Sequence, residues 1–438
     1  MKIALIGAGQ QGASQGLGFI LADHEVIFYD PNLARRQETC AKADEYEIAQ
    51  EKIVFADTPE EAIRGADVIG ANVPGAIFAQ VAQQVAKFAD NGAIFYDNGS
   101  GKVKTMRAIQ DALGRNLERI NYFGAHFFVG RSGTGPEFAA ADMYEGATAA
   151  IIGPENEAQK TLIGLFRQLS VKIIRTNTDP ENPLSAEDHD ESLGLFSHHN
   201  TFASSALMLA FPQVRVKGQD LQFGRFLSST RVAAYGESGH LFWGPVANDN
   251  AKAIVSAAQR FSAELDQVKI ALQQNHDGQL VSYLKEAFEY VSTIRVDRDF
   301  EGLEGDLNDL EVLGCLDDEN LMSSHVAMPI IFAASSAHVA KNYQESGGQK
   351  FESIDNSSFH DTLRPARDDP EKSAAFIWDH RNSVLKAVQA LQHQHAIITD
   401  AICTKAGGLV QDIIERSDSL RRQLPDAPTA ARPEFTLD

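Results

Sequence analysis

A strand-like run, Lys2–Ile6, ends in Gly7-Ala8-Gly9-Gln10-Gln11-Gly12, and no other stretch restricts the fold as much. A helix-like segment follows to about Ala22. A second strand-like run, His24–Tyr29, then closes on Asp30. Strand, glycine turn, helix, strand and acid in this order specify a dinucleotide-binding unit. Gly7 permits the tight turn, Gly9 lets the backbone approach a pyrophosphate, and Gly12 lets helix and strand pack closely. Ala8, Gln10 and Gln11 complete a turn whose N–H groups, at the helix start, face the phosphates. Asp30 is placed to accept from a ribose 2′-hydroxyl and to repel a 2′-phosphate, which favours NAD over NADP. Arg35 and Arg36 stand close enough to leave NADP open.

Strand and helix patterns alternate to about residue 180. Strands are expected over Ala66–Asn72, Ala93–Tyr96, Asn121–Ala125, Ala149–Ile152 and Val171–Arg175, with a helix over Ala76–Phe88. Ligands of such sheets bind beyond the carboxyl ends of the strands. That rule gathers Asp30, Val73, Pro74, Ser100 and His126, the last read as directly following its strand. From Ala186 the apolar spacing becomes helical, with long amphipathic stretches over Asn250–Gln274 and Leu280–Val291. It resumes over Glu319–Val339 and Lys372–Ser417. The expected architecture is an α/β Rossmann-type nucleotide-binding domain (1–180) followed by all-α domains. These are a helical substrate domain (181–295), a second helical copy (296–424) and a proline-bearing tail (425–438).

The second copy is read from an internal repeat. Ser197-His198 has a later counterpart in Ser324-His325. Phe202-Ala203-Ser204-Ser205-Ala206 resembles Phe332-Ala333-Ala334-Ser335-Ser336-Ala337. Phe226 and Arg231 match Phe359 and Arg364, with the two arginines slightly further apart than the two histidines. Trp243 with Asn250 is paired with Trp378 and Asn382. Two copies of one helical unit can pack as the halves of a homodimer do, about a pseudo-twofold axis. The chain is therefore expected to be a monomer with an internal pseudo-dimer, or a weak homo-oligomer.

The net charge of −21 excludes nucleic acid and membrane surfaces as partners, since both require a basic face. It also means that an anionic substrate must be held by local cations. Cys40, Cys315 and Cys403 are far apart, so neither a disulfide framework nor a zinc site is expected, and no metal is assigned. No apolar run reaches the length of a membrane span, and the chain opens on a strand, so a cytoplasmic protein is expected.

A neutral imidazole at His126 can take a hydroxyl proton while hydride leaves the same carbon. A histidine satisfied by backbone is the plainer reading. His198, at the start of an apolar helix, fits a core histidine equally well. Arg231, in the mostly uncharged Ser228-Ser229-Thr230-Arg231-Val232, is suited to grip a carboxylate or to form a structural ion pair. Arg364 with Asp361 has the spacing of a helical ion pair.

These motifs, in this order, resemble the prephenate dehydrogenase family, which includes arogenate dehydrogenases. The likeness covers about residues 1–295. It rests on the glycine turn with Asp30, Asp97-Asn98-Gly99-Ser100-Gly101-Lys102, His126-Phe127-Phe128-Val129-Gly130, His189-Asp190 with Ser197-His198, and Thr230-Arg231 with Trp243 and Asn250. The resemblance implies NAD-dependent oxidative decarboxylation of a small anionic cyclohexadienyl acid, in tyrosine biosynthesis. By position it implies that His126 bonds the C4 hydroxyl, Ser100 helps hold His126, and Arg231 grips a carboxylate. The family's Asp three residues before that arginine is Ser228 here, whereas Asp361 and Arg364 keep the spacing. Two other readings stay open. One is a ketol-acid reductoisomerase, whose flavour Gly9-Gln10-Gln11-Gly12 has; it needs helical-domain carboxylates to hold Mg2+, whereas the acidic Asp306, Asp309 and Glu311 lie in or beside a linker-like stretch. The other is a non-catalytic NAD-binding sensor.

Overall fold

In a computed structural model of the chain, residues 1–129, 135–174, 184–211, 229–230, 233, 239–293, 327–348, 359, 362–367 and 369–422 are described. They form two compact units. One runs from Met1 to Asp190, and the other takes the helical remainder from Glu191.

The first unit is built on a sheet of β1 (Lys2–Ile6), β2 (Glu25–Tyr29), β3 (Val54–Phe55), β4 (Val68–Ala71), β5 (Ile94–Asp97), β6 (Asn121–Phe127), β7 (Thr148–Ile152) and β8 (Lys172–Ile174). The order is β3-β2-β1-β4-β5-β6-β7-β8. Neighbours pair in parallel except β6 and β7. The inner strands are apolar almost throughout, as expected where helices cover both faces. The helices are α1 (Gln10–Leu21), α2 (Leu33–Asp44), α3 (Pro59–Ile63), α4 (Phe78–Phe88), α5 (Val103–Leu113), α6 (Glu157–Arg167) and the start of α7 (Ala186–Leu193). The chain leaves β1 toward β2 on one side and β4 starts the other, so the topological switch lies between β1 and β4.

Two expectations need correction. His126 does not follow its strand. It lies inside β6, because antiparallel β7 supplies partners beyond Ala125, pairing His126 with Ala150 and Phe127 with Ala149. The first unit also runs past residue 180 to Asp190, whose carboxylate accepts from the backbone N–H groups of Lys102 (2.7 Å) and Val103 (2.9 Å) at the start of α5.

The second unit holds α8 (His199–Ala210), entered through a π-turn at Gly194–His198. Then come α9 (Gly239–Asp249), α10 (Ala251–Gln273), α11 (Asp277–Thr293), α12 (Met328–Glu345), α13 (Pro370–Asp379), α14 (Arg381–Cys403) and α15 (Gly407–Arg421). The long helices α10 and α14 pack on each other. The other contacts come in exchanged pairs. α8 lies on α14 and α12 on α10, α9 on α15 and α13 on α11, α8 on α15 and α12 on α11. Such exchange is the mark of an isologous interface.

The register is uniform. α10 and α14 begin at 251 and 381 and end at 273 and 403, and α11 and α15 begin at 277 and 407, so each pair is offset by the same amount. Asn275 and Lys405, in left-handed backbone conformation between these helices, share that offset. So do the buried faces: Ile254 with Val384, Phe261 with Leu391, Val268 with Ile398, and Leu284 with Ile414. This register lies between the narrower offset of the paired histidines and the wider one of the paired arginines. It pairs Asn250 with His380 rather than Asn382, and it separates the tryptophans. Trp243 is mid-way along α9 and Trp378 is next to last in α13. His325 lies outside the described residues.

Candidate active site

The glycine turn forms as its spacing requires. Gly7 has φ +99°, and a Cβ there would stand 2.2 Å from the Asn72 carbonyl oxygen, so the turn presses against the end of β4. A Cβ on Gly12 would stand 2.0 Å from the Gly7 carbonyl oxygen. Gly9 precedes α1 with no side-chain cap, so the first N–H groups of the helix have no cap from its own side chains. Ala8 and Gln10 are buried. Val73 and Pro74 follow β4 beside this turn, and Pro74 starts a 3-10 turn over Gly75–Ile77. A backbone cradle that side chains would fill, at the switch point of the sheet, fits a dinucleotide.

Asp30 is buried and already engaged. Its Oδ2 accepts from the Ala8 N–H (2.9 Å) and from Arg35 (3.3 Å), and its Oδ1 accepts from the Asn32 N–H (2.9 Å). The acid that would face the ribose thus also braces the glycine turn. Arg36 turns away, donating to the Asp30 carbonyl and to Asp57 and lying over Phe55.

Gln11 ties the glycine turn to the far end of β6. Its side-chain amide donates to the Val129 carbonyl (2.9 Å), and Tyr144 donates to its side-chain oxygen. Val129 is three residues past His126. Ser100 lies three residues past β5 and is half-buried. Among the described residues its hydroxyl makes no hydrogen bond to His126. The His126 ring does meet His189, with Nδ1 and Nε2 3.1 Å apart. His189 Nδ1 is in turn 2.9 Å from Asp190 Oδ1.

Beneath this lies a buried ion pair. The Lys102 ammonium donates to Asp97 (2.6 Å) and to the Ala125 carbonyl (2.6 Å), one residue before His126. Tyr122 and the Gly99 N–H also donate to Asp97. Burial pulls the Lys102 ammonium below the usual lysine range, while Asp97 and Asp190 hold it up. The sequence placed His189, Asp190 and Lys102 in motifs without giving them roles. The motif His189-Asp190 was the available signal. Its meeting with a strand 63 residues earlier is a tertiary fact.

The second unit brings three other motif residues together. The Asn250 side-chain amide is 3.1 Å from His198 Nδ1, and the Trp243 ring meets the His198 imidazole edge-on at 5.9 Å. His198 is buried. Thr230 is buried beside Arg231, but Arg231 and Asp361 lie outside the described residues. Arg364 opens a 3-10 turn, Arg364–Arg367. Near it, Thr362 accepts from Asn200 of α8 (2.9 Å), so this segment of the second copy touches the first. Asp306, Asp309 and Glu311 also lie outside the described residues. Among the described residues no three His, Cys, Asp or Glu side chains are grouped to hold a metal ion. No described helix is long and apolar enough to cross a membrane.

Comparison with known proteins agrees with this organisation. Residues 19–174 match the family model described as the prephenate dehydrogenase nucleotide-binding domain. Residues 185–286 match the one described as the prephenate dehydrogenase dimerization domain. The cyclohexadienyl dehydrogenase of Zymomonas mobilis is 25% identical over 247 residues, spanning 56% of this chain and 80% of the relative. Among solved structures, the prephenate dehydrogenase of A. aeolicus, in complex with hydroxyphenyl propionate and NAD+, has a TM-score of 0.53 at 20% identity. It covers 65% of this chain and 95% of its own. Synechocystis arogenate dehydrogenase gives a TM-score of 0.53 at 20% identity, covering 66% of this chain and 97% of its own. With both halves of the family's fold matched in order, the chain belongs to the prephenate dehydrogenase family.

Proposed function

We propose that the protein is an NAD-dependent dehydrogenase that oxidatively decarboxylates prephenate or arogenate, in cytoplasmic tyrosine biosynthesis. The observation that carries this reading is the position of His126. It lies at the carboxyl end of β6, and the segment that follows is tied to the glycine turn through Gln11 and Val129. The glycine turn and Asp30 would hold the dinucleotide, which would supply the hydride acceptor for C4 of the ring.

The protein's part is to bind, orient and move a proton. His126 accepts the C4 hydroxyl proton as the C–H electron pair departs. The bond to the ring carboxylate then breaks, CO2 leaves, and its electron pair aromatises the ring. The C4 oxygen takes the proton back. Arg231 is assigned the bidentate grip on a substrate carboxylate, and Ser100 and His198 are assigned to the catalytic set by their places in the motifs. Asp30 selects NAD by repelling a 2′-phosphate.

The test follows NADH or NADPH formation with prephenate and arogenate, each with NAD and NADP. Turnover with NAD on one of the two acids is expected. His126→Asn should lower kcat by roughly 10²–10⁴-fold, the range of general-base catalysis. Tight NADH binding with no turnover on either acid would favour a sensor instead. Activity lost to EDTA would revive the reductoisomerase reading.

The second helical copy takes the place of a partner subunit. Supporting this are the exchanged helix contacts and the Asn200–Thr362 hydrogen bond between the two copies. In this reading Asp361 and Arg364 complete the site in cis. If Asp361→Ala and Arg364→Ala leave kcat/KM unchanged while Arg231→Ala abolishes it, the second copy is a scaffold only.

A further inference from the structure

His126 has two ring nitrogens, and only one arrangement of hydrogens suits a proton acceptor. We propose that His189 and Asp190 are positioning residues that lock hydrogen onto His126 Nδ1, leaving Nε2 as its accepting nitrogen. The proposal rests on reading His126 as the group that receives the ring hydroxyl proton.

Asp190 sets the direction of the whole relay. Its carboxylate sits at the N-terminus of α5, where the helix dipole favours an anion. There it accepts from the N–H groups of Lys102 and Val103. Burial alone would raise its pKa, but His189 and these two N–H groups hold it below the usual carboxylate range. An ionised carboxylate only accepts, so His189 Nδ1 must donate to it. His189 is buried, which disfavours a second proton, and its pKa is lowered. The Asp190 and Asp97 charges oppose that shift and Lys102 adds to it. A neutral His189 that donates from Nδ1 accepts at Nε2. Across the 3.1 Å contact, His126 Nδ1 is therefore the donor.

The surroundings keep the relay aligned. The Phe128 ring meets His126 at 4.6 Å and stacks on His189 at 6.3 Å. Lys102 reaches both ends, with its backbone N–H on Asp190 and its ammonium on the carbonyl preceding His126. When His126 Nε2 takes a proton, the new imidazolium already has its Nδ1–H in a hydrogen bond that leads to an anion. That arrangement stabilises the charge without moving a side chain.

Histidine side-chain 15N shifts of the labelled full-length protein read the tautomer directly, with His126→Asn identifying the His126 signals. The Nδ1–H tautomer is expected for His126. His189→Leu should remove that preference and lower kcat on the order of 10²-fold with little change in KM, as loss of general-base assistance does. His189→Gln can accept from His126 and donate to Asp190, so it should restore both the tautomer and much of kcat. An Nε2–H tautomer in the native protein overturns the proposal, even if the leucine variant fails to fold. So do an unchanged spectrum and kcat in His189→Leu. Normal turnover by His126→Asn sinks the underlying reading of His126, whatever the spectra show.

Discussion

Lys102 joins several parts of the candidate site, meeting Asp97, the Ala125 carbonyl and Asp190. Its side chain is wholly buried, and its ammonium neutralises Asp97 while fixing the strand beside His126. Replacing it with methionine would leave the Asp97 carboxylate buried without its cation. Removing one partner of a buried pair costs about 3–5 kcal/mol. Lys102→Met should therefore lose that much in urea unfolding, well beyond an exposed lysine such as Lys160. In the sequence Lys102 is legible only as the last residue of Asp97-Asn98-Gly99-Ser100-Gly101-Lys102. Its burial is not, because lysine is ordinarily exposed and only the closed fold supplies its partners. His126 was legible as a candidate from its place at a strand end. Its bond to His189 was not, since pattern reading carries no information about residues so far apart in the chain.

Among the elements, those with strong periodicity were readable and those shaped by neighbours were not. β1, α1, α10 and α11 form close to where the apolar spacing puts them. β3 has two residues, too few for a pattern, and α2 is polar along most of its length. β6 outran its expected end because of its antiparallel partner. Between α8 and α14 lies a pair that periodicity treats as ordinary core: His199 and His395, with their Nε2 atoms 3.0 Å apart and both against Phe261.

Burial pushes His395 down to about 4, and His199 well below its usual range through burial and then its neighbour. Both are neutral in the fold. Above the unfolded histidine value, near 6.5, neither state binds the proton and stability is complete. As pH falls below that value the unfolded chain takes up protons that the fold refuses. Stability is lost between about 6.5 and 4, on the order of 3 kcal/mol for His395. The melting temperature should fall between pH 7.5 and pH 5. His395→Leu should shrink that fall, and a fall as large as the native one would refute the assignment.

At the scale of the whole molecule, the helical unit bears on assembly. In the proposed pseudo-dimer, the exchanged contacts of α8–α11 with α12–α15 take the place of contacts with another chain. Sedimentation velocity at micromolar concentration should therefore find one species near 47.7 kDa, and a stable species of twice that mass would contradict the proposed pseudo-dimer. The uniform register of the two copies has a further effect. Where identical subunits meet about a true axis, every change appears on both sides at once. In a joined chain it appears once. His395 of α14 illustrates this, since the same register puts Leu265 of α10 in the related place. An imidazole on one helix answers an aliphatic side chain on its counterpart, a lopsidedness that two copies of a single sequence could never encode.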